Sequence, residues 1–340
     1  HDKIVFMRNL SAMLEAGLTT SRALSVMERQ SKNPYLKSII GSLIADVKRG
    51  STLSSALGKF PNTFSALMIS MTRAGEESGK MAESLRVVGT QMERASNLTK
   101  KIKGALIYPS IVLIAMVGIG ILMLMFVVPT LTQTFRELGT KLPPTTEAII
   151  VASEFLSNNT VLALTLMAVI VGGFMWAMNT PTGKLISNWV FLRIPIISGL
   201  IMETNAARTS RTLASLLSAG VDVVLSISIT KDVVENGFYK KVLLETENEV
   251  TKGGLISATF AKYPKLYPPL VSEMIAVGEE TGRLSDMLRE TADFYEESVE
   301  RQTKDLSTIV EPFLMLIIGA AVGFFALSMI APIYSLSNAI

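Results

Sequence analysis

The sequence predicts an all-α, polytopic membrane protein with three transmembrane helices and two repeated helical bundles on the cytoplasmic side. Three observations lead to this prediction. The 340 residues are 49% hydrophobic and only 18% charged, whereas soluble globular chains carry about 25% charged residues. Three long stretches contain no Asp, Glu, Lys, Arg or His, and the segments before the first and third stretches resemble each other.

The three apolar stretches are residues 105–129, 161–178 and 312–334. A helix crosses the hydrocarbon of a bilayer with roughly 20 apolar residues, whereas a helix buried in a soluble core has an apolar run of about 10–14. We therefore predict three transmembrane helices. Because none of the stretches contains Asp, Glu, Lys, Arg or His, a coupled ion transporter and an intramembrane aspartyl protease are disfavoured. Glu311 precedes the third stretch and is interpreted as an interfacial residue.

The distribution of basic residues predicts the orientation in the membrane. Of the 32 Lys and Arg residues, only Arg136 and Lys141 lie between the first two stretches, and none follows the third. Lys and Arg are enriched in cytoplasmic segments close to transmembrane helices, so the two long segments that hold the other basic residues are predicted to be cytoplasmic. The predicted parts are a cytoplasmic bundle 1–104, a transmembrane helix 105–129, an external loop 130–160, a transmembrane helix 161–178, a second cytoplasmic bundle 179–311, a transmembrane helix 312–334 and an external tail 335–340.

A self-match at a constant offset of 203 residues indicates an internal duplication. Residues 8–18 (RNLSAMLEAGL) align with residues 211–221 (RTLASLLSAGV), and from Gly50 to Leu85, 11 of 36 positions are identical to their counterparts. The duplicated unit is a bundle with the transmembrane helix that follows it. Since the middle helix returns the chain to the cytoplasm, we expect parallel copies related by a pseudo-two-fold axis along the membrane normal.

Capping residues predict short helices in the first copy. Gly17 suits the residue after a helix, and residues Thr19 to Ser21 offer N-caps for the next helix. The pair Asn33-Pro34 begins a third helix, which Gly50 ends. From Met81 to Ile102 a heptad-like spacing of apolar residues predicts a helix that continues into the first membrane stretch. Alternating apolar and polar runs bounded by hairpin turns are absent, so no sheet is expected.

A Gly-Glu-Glu-x-Gly motif occurs once in each copy, around Glu76 and Glu279. As an acid/base site it lacks a neighbouring nucleophile or electrophile. As a calcium site, two adjacent glutamates fall short of the roughly six to eight oxygens that the ion takes, unless other loops contribute. The favoured interpretation is a helix–helix turn in which glycine, including Gly75, supplies a positive φ and the glutamate lies near the N-terminus of the next helix. Partner contact and a metal site remain as second and third possibilities.

Composition excludes several other classes of site. The chain has no cysteine, and its single histidine is His1, so thiolate chemistry, disulfides and histidine-based catalysis are excluded. Glycine-rich phosphate loops of the forms GxxxxGK[ST] and GxGxxG are absent. A net charge of +3 does not suggest binding to nucleic acid. We expect neither an enzyme nor a bound cofactor.

The whole chain resembles the inner-membrane platform proteins of type IV pilus assembly and type II secretion, the GspF/PilC family. The matching elements, in chain order, are Phe6-x-Arg8-x-Leu10 with Ala16-Gly17-Leu18, Gly75-Glu76-x-Ser78-Gly79, Tyr108-Pro109, Val128-Pro129, Leu142-Pro143-x-x-Thr146, Ala219-Gly220, Gly278-Glu279-x-Thr281-Gly282 and Glu311-Pro312. Some members of this family bind calcium beside the Gly-Glu motif with the help of a following acidic residue. Here Lys80 and Arg283 follow the motif, which argues against a metal.

The resemblance implies a non-enzymatic role in the cell inner membrane. Members contact the hexameric assembly ATPase and pass its motion to pilin or pseudopilin subunits, alongside other inner-membrane assembly proteins; we also expect a homo-oligomer. The alternative from another class is a transporter or channel built from parallel repeats. Structural or partner-contact roles, rather than catalytic, cofactor or metal roles, are assigned to Gly75, Glu76, Gly79, Gly278, Glu279, Gly282, Pro109, Pro129, Glu311, Pro312 and Pro332.

Overall fold

A computed structural model describes residues 2–137, 143–180, 183, 193 and 195–337. Over these residues the chain forms helices and connecting turns, without a β-strand, as predicted. The chain divides into two compact units. The first consists of His1–Lys100 with Phe191–Arg301, and the second consists of Lys101–Val190 with Gln302–Ile340.

The helices follow the duplication closely. Those of the first copy are α1 (Asp2–Glu15), α2 (Thr20–Gln30), α3 (Pro34–Lys48), α4 (Leu53–Gly58), α5 (Ala66–Glu77) and α6 (Met81–Leu122), then a π-helical turn (Met123–Val127) and α7 (Val128–Glu137). The connecting helices are α8 (Pro144–Asn158) and α9 (Thr160–Asn179). Those of the second copy are α10 (Pro195–Ser218), α11 (Val223–Val233), α12 (Gly237–Thr251), α13 (Ile256–Ala261), α14 (Pro269–Thr281) and α15 (Leu284–Ser337).

The helix boundaries confirm the 203-residue register. Each of α11 to α15 begins 203 residues after its counterpart among α2 to α6. The positive φ angles also occur in pairs at that spacing. They belong to glycines, namely Gly17 and Gly220, Gly50 and Gly253, and Gly79 and Gly282. Only a residue without Cβ adopts this conformation at no steric cost, so these glycines end helices at the same places in both copies.

The predicted N-caps are confirmed as well. The Thr19 hydroxyl accepts a hydrogen bond from the backbone N–H of Arg22, and Asn33 Oδ1 accepts from the N–H groups of Tyr35 and Leu36. These bonds satisfy donors that have no partner within the helix. In the second copy, Asp222 caps α11 in the same way.

One of the differences between the two bundle cores lies at two equivalent positions that touch each other. In the first bundle the buried rings of Phe6 and Phe64 lie 5.4 Å apart. In the second bundle Thr209 and Tyr267 occupy these positions, and their hydroxyl oxygens are 2.9 Å apart. Tyr267 also packs edge-on against Tyr239, with ring centroids 5.2 Å apart. A purely apolar contact in one copy is therefore a hydrogen bond in the other.

The bundles contact each other through different surfaces. Helix α5 of the first copy packs against α11 of the second, and Leu216 and Ile229 complete the first bundle's core. A pseudo-two-fold axis would require the reciprocal contact between α2 and α14. Both of these helices are fully described, and they make no contact of comparable extent. The expected pseudo-two-fold relation between the soluble copies is therefore wrong, and their contact is heterologous.

Within the part of the chain that the structure describes, three helical segments are long and apolar enough to cross a membrane, as predicted. They are Met81–Thr134, Thr160–Met178 and Leu284–Ile330. Their apolar side chains lie outward, with Ile114, Val161 and Leu327 being 72%, 80% and 72% exposed. Exposed apolar surface of this extent is unfavourable in water and is typical of helices surrounded by lipid.

Helix α8 occupies half of the segment that the sequence assigned to an external loop, and it packs within the second unit. Ile150 joins Val128 and Met329 in a small buried cluster. The Ser153 hydroxyl donates to the carbonyl oxygen of Leu124, within the π-helical turn, at 2.5 Å. The buried Thr146 hydroxyl donates to the carbonyl oxygen of Ser328 at 2.5 Å. Hydroxyl bonds to backbone carbonyls are common between packed helices in membranes, so α8 is part of the helix packing.

Candidate functional site

The Gly-Glu motif of the first copy holds the N-terminus of another helix. Both carboxylate oxygens of Glu76 accept hydrogen bonds from the first turn of α4. The backbone N–H of Leu53 donates to Oε1 at 2.5 Å, while the N–H and hydroxyl of Ser54 donate to Oε2 at 3.2 and 2.5 Å. A carboxylate at a helix N-terminus satisfies unpaired N–H groups and interacts favourably with the helix dipole. The second glutamate of the motif, Glu77, is exposed.

The second copy repeats this geometry. Glu279 accepts from the backbone N–H of Ile256 at 2.7 Å, and from the N–H and hydroxyl of Ser257 at 3.2 and 2.5 Å. One difference lies at the N-cap itself. Thr52 caps α4 with its hydroxyl, whereas Leu255 precedes α13 and has no side-chain acceptor. The N-terminus of α13 therefore depends on Glu279 more than the N-terminus of α4 depends on Glu76.

This geometry corrects one expectation about the motif. The glutamates were expected near the N-terminus of the helix that follows them. Each instead contacts a short helix that begins 23 residues earlier in the chain. The motif is consequently a long-range connection within its bundle. Among the described residues, no group of three or more His, Cys, Asp or Glu side chains is arranged to hold a metal ion.

The two glycines of the motif have different functions, one in backbone conformation and one in helix packing. The expectation that Gly75 supplies a positive φ is wrong. The positive φ belongs to Gly79, at +71°. Gly75 lies in the last turns of α5 and is buried, because the start of α6 passes close to it. A Cβ atom there would be 2.7 Å from Ser84 Cβ and 2.9 Å from Met81 Cα. At Gly278 a Cβ would similarly be 2.8 Å from Leu284 Cα. Position 75 thus requires glycine for close helix packing.

An ion-pair cluster connects the two bundles inside the first unit. Arg211 is 11% exposed and binds Glu296 through two bonds of 2.8 and 3.0 Å. It also binds Asp293. Burial lowers the pKa of Arg211, but its bonds to Glu296 and Asp293 outweigh burial and raise the pKa above its ordinary value. Arg94 of the first copy donates to Asp293 at 2.9 Å. Two arginines from different copies therefore share one acidic pair.

Sequence reasoning missed this cluster, although a signal was present. Arg211 and Glu296 are the counterparts of Arg8 and Glu93, and Arg8 Nη1 donates to both Glu93 oxygens at 3.1 and 3.2 Å. Opposite charges that recur together at the repeat spacing would have suggested an ion pair in each copy. The contribution of Arg94 has no such signal, because its counterpart is Glu297.

The remaining predicted residues lie in the long helices. Pro109 lies within α6, and Pro129 lies at the second position of α7. Glu311, Pro312 and Pro332 lie within α15, and Glu311 is exposed. All five belong to the second unit, whereas both Gly-Glu motifs belong to the first. The predicted residues therefore form no single site.

Comparison with known proteins identifies the family. The family described as type II secretion system (T2SS), protein F, matches residues 6–129 and again residues 209–332. These two matches lie 203 residues apart and together cover most of the chain. The chain belongs to the type II secretion system protein F family.

Relatives in this family are components of two kinds of machinery. A type IV pilus assembly protein PilC from Thermus thermophilus is 35% identical over 98% of this chain and 82% of its own length. A type II secretion system protein F from Aeromonas hydrophila is 31% identical over 97% of this chain and 85% of its own length. A PilC protein from Pseudomonas aeruginosa is 29% identical, covering 100% of this chain and 91% of its own length. The family resemblance stated from the sequence is confirmed.

The close approach at Gly75 predicts a steric effect of substitution. We expect Gly75→Ala to lower the free energy of unfolding by about 1–3 kcal/mol, because the added methyl group meets the backbone of Met81. Gly58→Ala is the matched control, since a Cβ there has no neighbour within 4 Å. Urea unfolding of the detergent-solubilised full chain measures both. Equal stability of the two variants would contradict the close approach.

The different N-caps predict unequal effects of the two glutamates. Replacing either by glutamine turns one accepting oxygen into an NH₂ group that faces a donor, so we expect a loss of about 1–2 kcal/mol. The loss should be larger for Glu279→Gln, because Thr52 still caps α4 in Glu76→Gln. Hydrogen exchange of the amides in α4 and α13 reports each cap separately. Greater exchange in α4 than in α13 would refute the inequality.

Proposed function

We propose that this chain is an inner-membrane platform protein. In this role it couples a cytoplasmic hexameric assembly ATPase to the extraction of pilin or pseudopilin subunits and to filament assembly. The observation that carries the proposal is the duplicated family match, in which each copy combines a helical bundle with a long apolar helix. The role is mechanical rather than enzymatic.

The long helices α6 and α15 are the elements that suit such coupling. Helix α6 has 42 residues and is therefore about 60 Å long at 1.5 Å per residue. Its first part packs into the bundle core through Leu85 and Val88. Beyond residue 104 it presents exposed apolar side chains such as Ile114. A helix continuous over this length can transmit a rotation or a tilt, whereas the competing interpretation is that residues 81–104 only pack within their own bundle.

The proposed partners follow from the two kinds of surface. The hexameric ATPase would contact the charged bundles from the cytoplasm, and transmembrane segments of pilins would contact the exposed apolar helices, which also face lipid. Other inner-membrane assembly proteins and further copies of this chain complete the proposed machinery. We propose no cofactor and no nucleic acid.

A break in α6 tests the mechanical coupling. Asn97 is exposed, so Asn97→Pro removes one backbone hydrogen bond and distorts the helix at a cost of about 3 kcal/mol or more. We expect membrane insertion and ATPase binding to persist while pilus assembly or protein secretion is lost. Asn97→Ala is the control and should assemble normally. Normal assembly by the proline variant, with insertion and ATPase binding retained, would refute a helical lever.

Cysteine labelling tests the proposed orientation in a chain that has no native cysteine. Asn97 and Asn158 are both exposed, and the proposed topology puts them on opposite sides of the inner membrane. An impermeant maleimide added from the periplasmic side should label Asn158→Cys only. After the membrane is permeabilised, Asn97→Cys should be labelled too. Labelling of Asn97→Cys before permeabilisation would show that the orientation is wrong.

A further inference from the structure

The contact between the two bundles uses one surface of each copy, and the equivalent surface of the other copy remains exposed in each case. In the internal contact, α5 and α6 of the first copy meet α10 and α11 of the second. We call these two surfaces the inner faces. The counterpart of the inner face on α5 and α6 is the surface of α14 and α15. The counterpart of the inner face on α10 and α11 is the surface of α1 and α2. We call them the outer faces. The internal contact reaches α15 through Asp293 and Glu296, which bind Arg94, but it leaves Phe294 exposed.

The outer face on α14 and α15 is less buried than its inner counterpart. Met71 on α5 is fully buried, whereas Met274, the same residue type at the equivalent position, is half-buried. Gln91 on α6 is 6% exposed and donates to the Thr212 hydroxyl at 3.1 Å. Its counterpart on α15 is Phe294, which is 49% exposed. A large aromatic side chain therefore lies in water at the position where the other copy makes its contact.

The outer face on α1 and α2 shows the complementary difference. Thr212 and Ser215 on α10 are only 2% and 8% exposed, whereas their counterparts Asn9 and Ala12 are exposed. Asn9 and the 39% exposed Val5 border an open groove of about 760 Å³, which Met27 and Leu36 also line. The groove is large enough to receive an aromatic ring.

We propose that a second copy of this chain covers these surfaces, in the arrangement already used between the two bundles. The α14–α15 outer face of one chain docks on the α1–α2 outer face of the next, with Phe294 against Asn9 and Val5. The proposal deepens the homo-oligomer of the proposed function and rests on it. Because the two surfaces differ, the contact is heterologous and produces a ring if it closes or an open chain if it does not.

The charges at the centre of this contact differ from those inside the chain. Inside the chain, Arg94 meets the acidic pair that Arg211 also binds. Between chains, Glu297 takes the position of Arg94, Arg8 takes the position of Arg211, and Thr90 and Glu93 take the positions of Asp293 and Glu296. The Arg8 side chain is 60% exposed and binds Glu93 through one of its three nitrogens. Its other nitrogens can donate to Glu297 of the neighbouring chain while Nη1 holds Glu93, so one arginine would bridge the two carboxylates.

Cross-linking with two differently tagged chains tests the pairing directly. One chain carries Asn9→Cys and the other Phe294→Cys, and the two are co-expressed and treated with a short bis-maleimide in membranes. We expect a cross-linked species that contains both tags, and none when either variant is expressed alone. Leu244→Cys replaces Phe294→Cys in the control, because Leu244 is 47% exposed but lies on α12; it should give no product with Asn9→Cys. Self-linking of the Phe294→Cys chain without the mixed product would overturn the heterologous contact, as would the absence of the mixed product.

A second measurement avoids reliance on a single cysteine pair. We expect Phe294→Ser to raise the dissociation constant of the detergent-solubilised oligomer about tenfold or more, because buried aromatic anchors contribute most to interfaces. Leu244→Ser should leave it unchanged, and equal melting temperatures would show that both variants are folded. An unchanged oligomer in Phe294→Ser overturns the interface. A different result would refute the proposed function, namely filament assembly and secretion that remain intact when the chain is deleted.

Discussion

Each bundle depends on one carboxylate that joins helices distant in the sequence. Helices α4 and α13 have only six residues each, and helices this short are unstable in water without tertiary contacts. Glu76 and Glu279 supply acceptors for their first N–H groups from the ends of α5 and α14. The adjacent Gly75 lets the start of α6 approach the same turn. The position of the long helix is thus tied to the capped short helix.

The duplication preserves this connection but not the surroundings of the copies. The first bundle completes its core with Leu216 and Ile229 from the second, whereas the second bundle has no such contribution to its own core cluster among the described residues. Equivalent residues such as Met71 and Met274 consequently differ in burial. A heterologous contact between similar units makes the two copies inequivalent, which allows each to bind a different partner.

The local structure could be predicted from the sequence because it depends on neighbouring residues. Thr19 and Asn33 cap their helices as expected, since an N-cap requires only a short polar side chain next to free N–H groups. Gly75 was misinterpreted, because glycine is required both for positive φ and for close packing, and only the neighbouring helix distinguishes the two. The capping of α4 by Glu76 spans 23 residues and leaves no local pattern. Helix α8 was missed because its bonds from Thr146 and Ser153 depend on tertiary packing.

The difference between the copies also bears on how force could pass through such a protein. Arg94 and Gln91 lie on α6 and bind the second bundle, so a displacement of that bundle acts on α6 directly. The equivalent stretch of α15 carries Phe294 and Glu297, and Phe294 is left exposed. If a neighbouring chain occupies that surface, α15 is acted on by the next subunit. Helix α15 would then be acted on from two sides, because Arg94 on α6 of the same chain also binds Asp293 on α15.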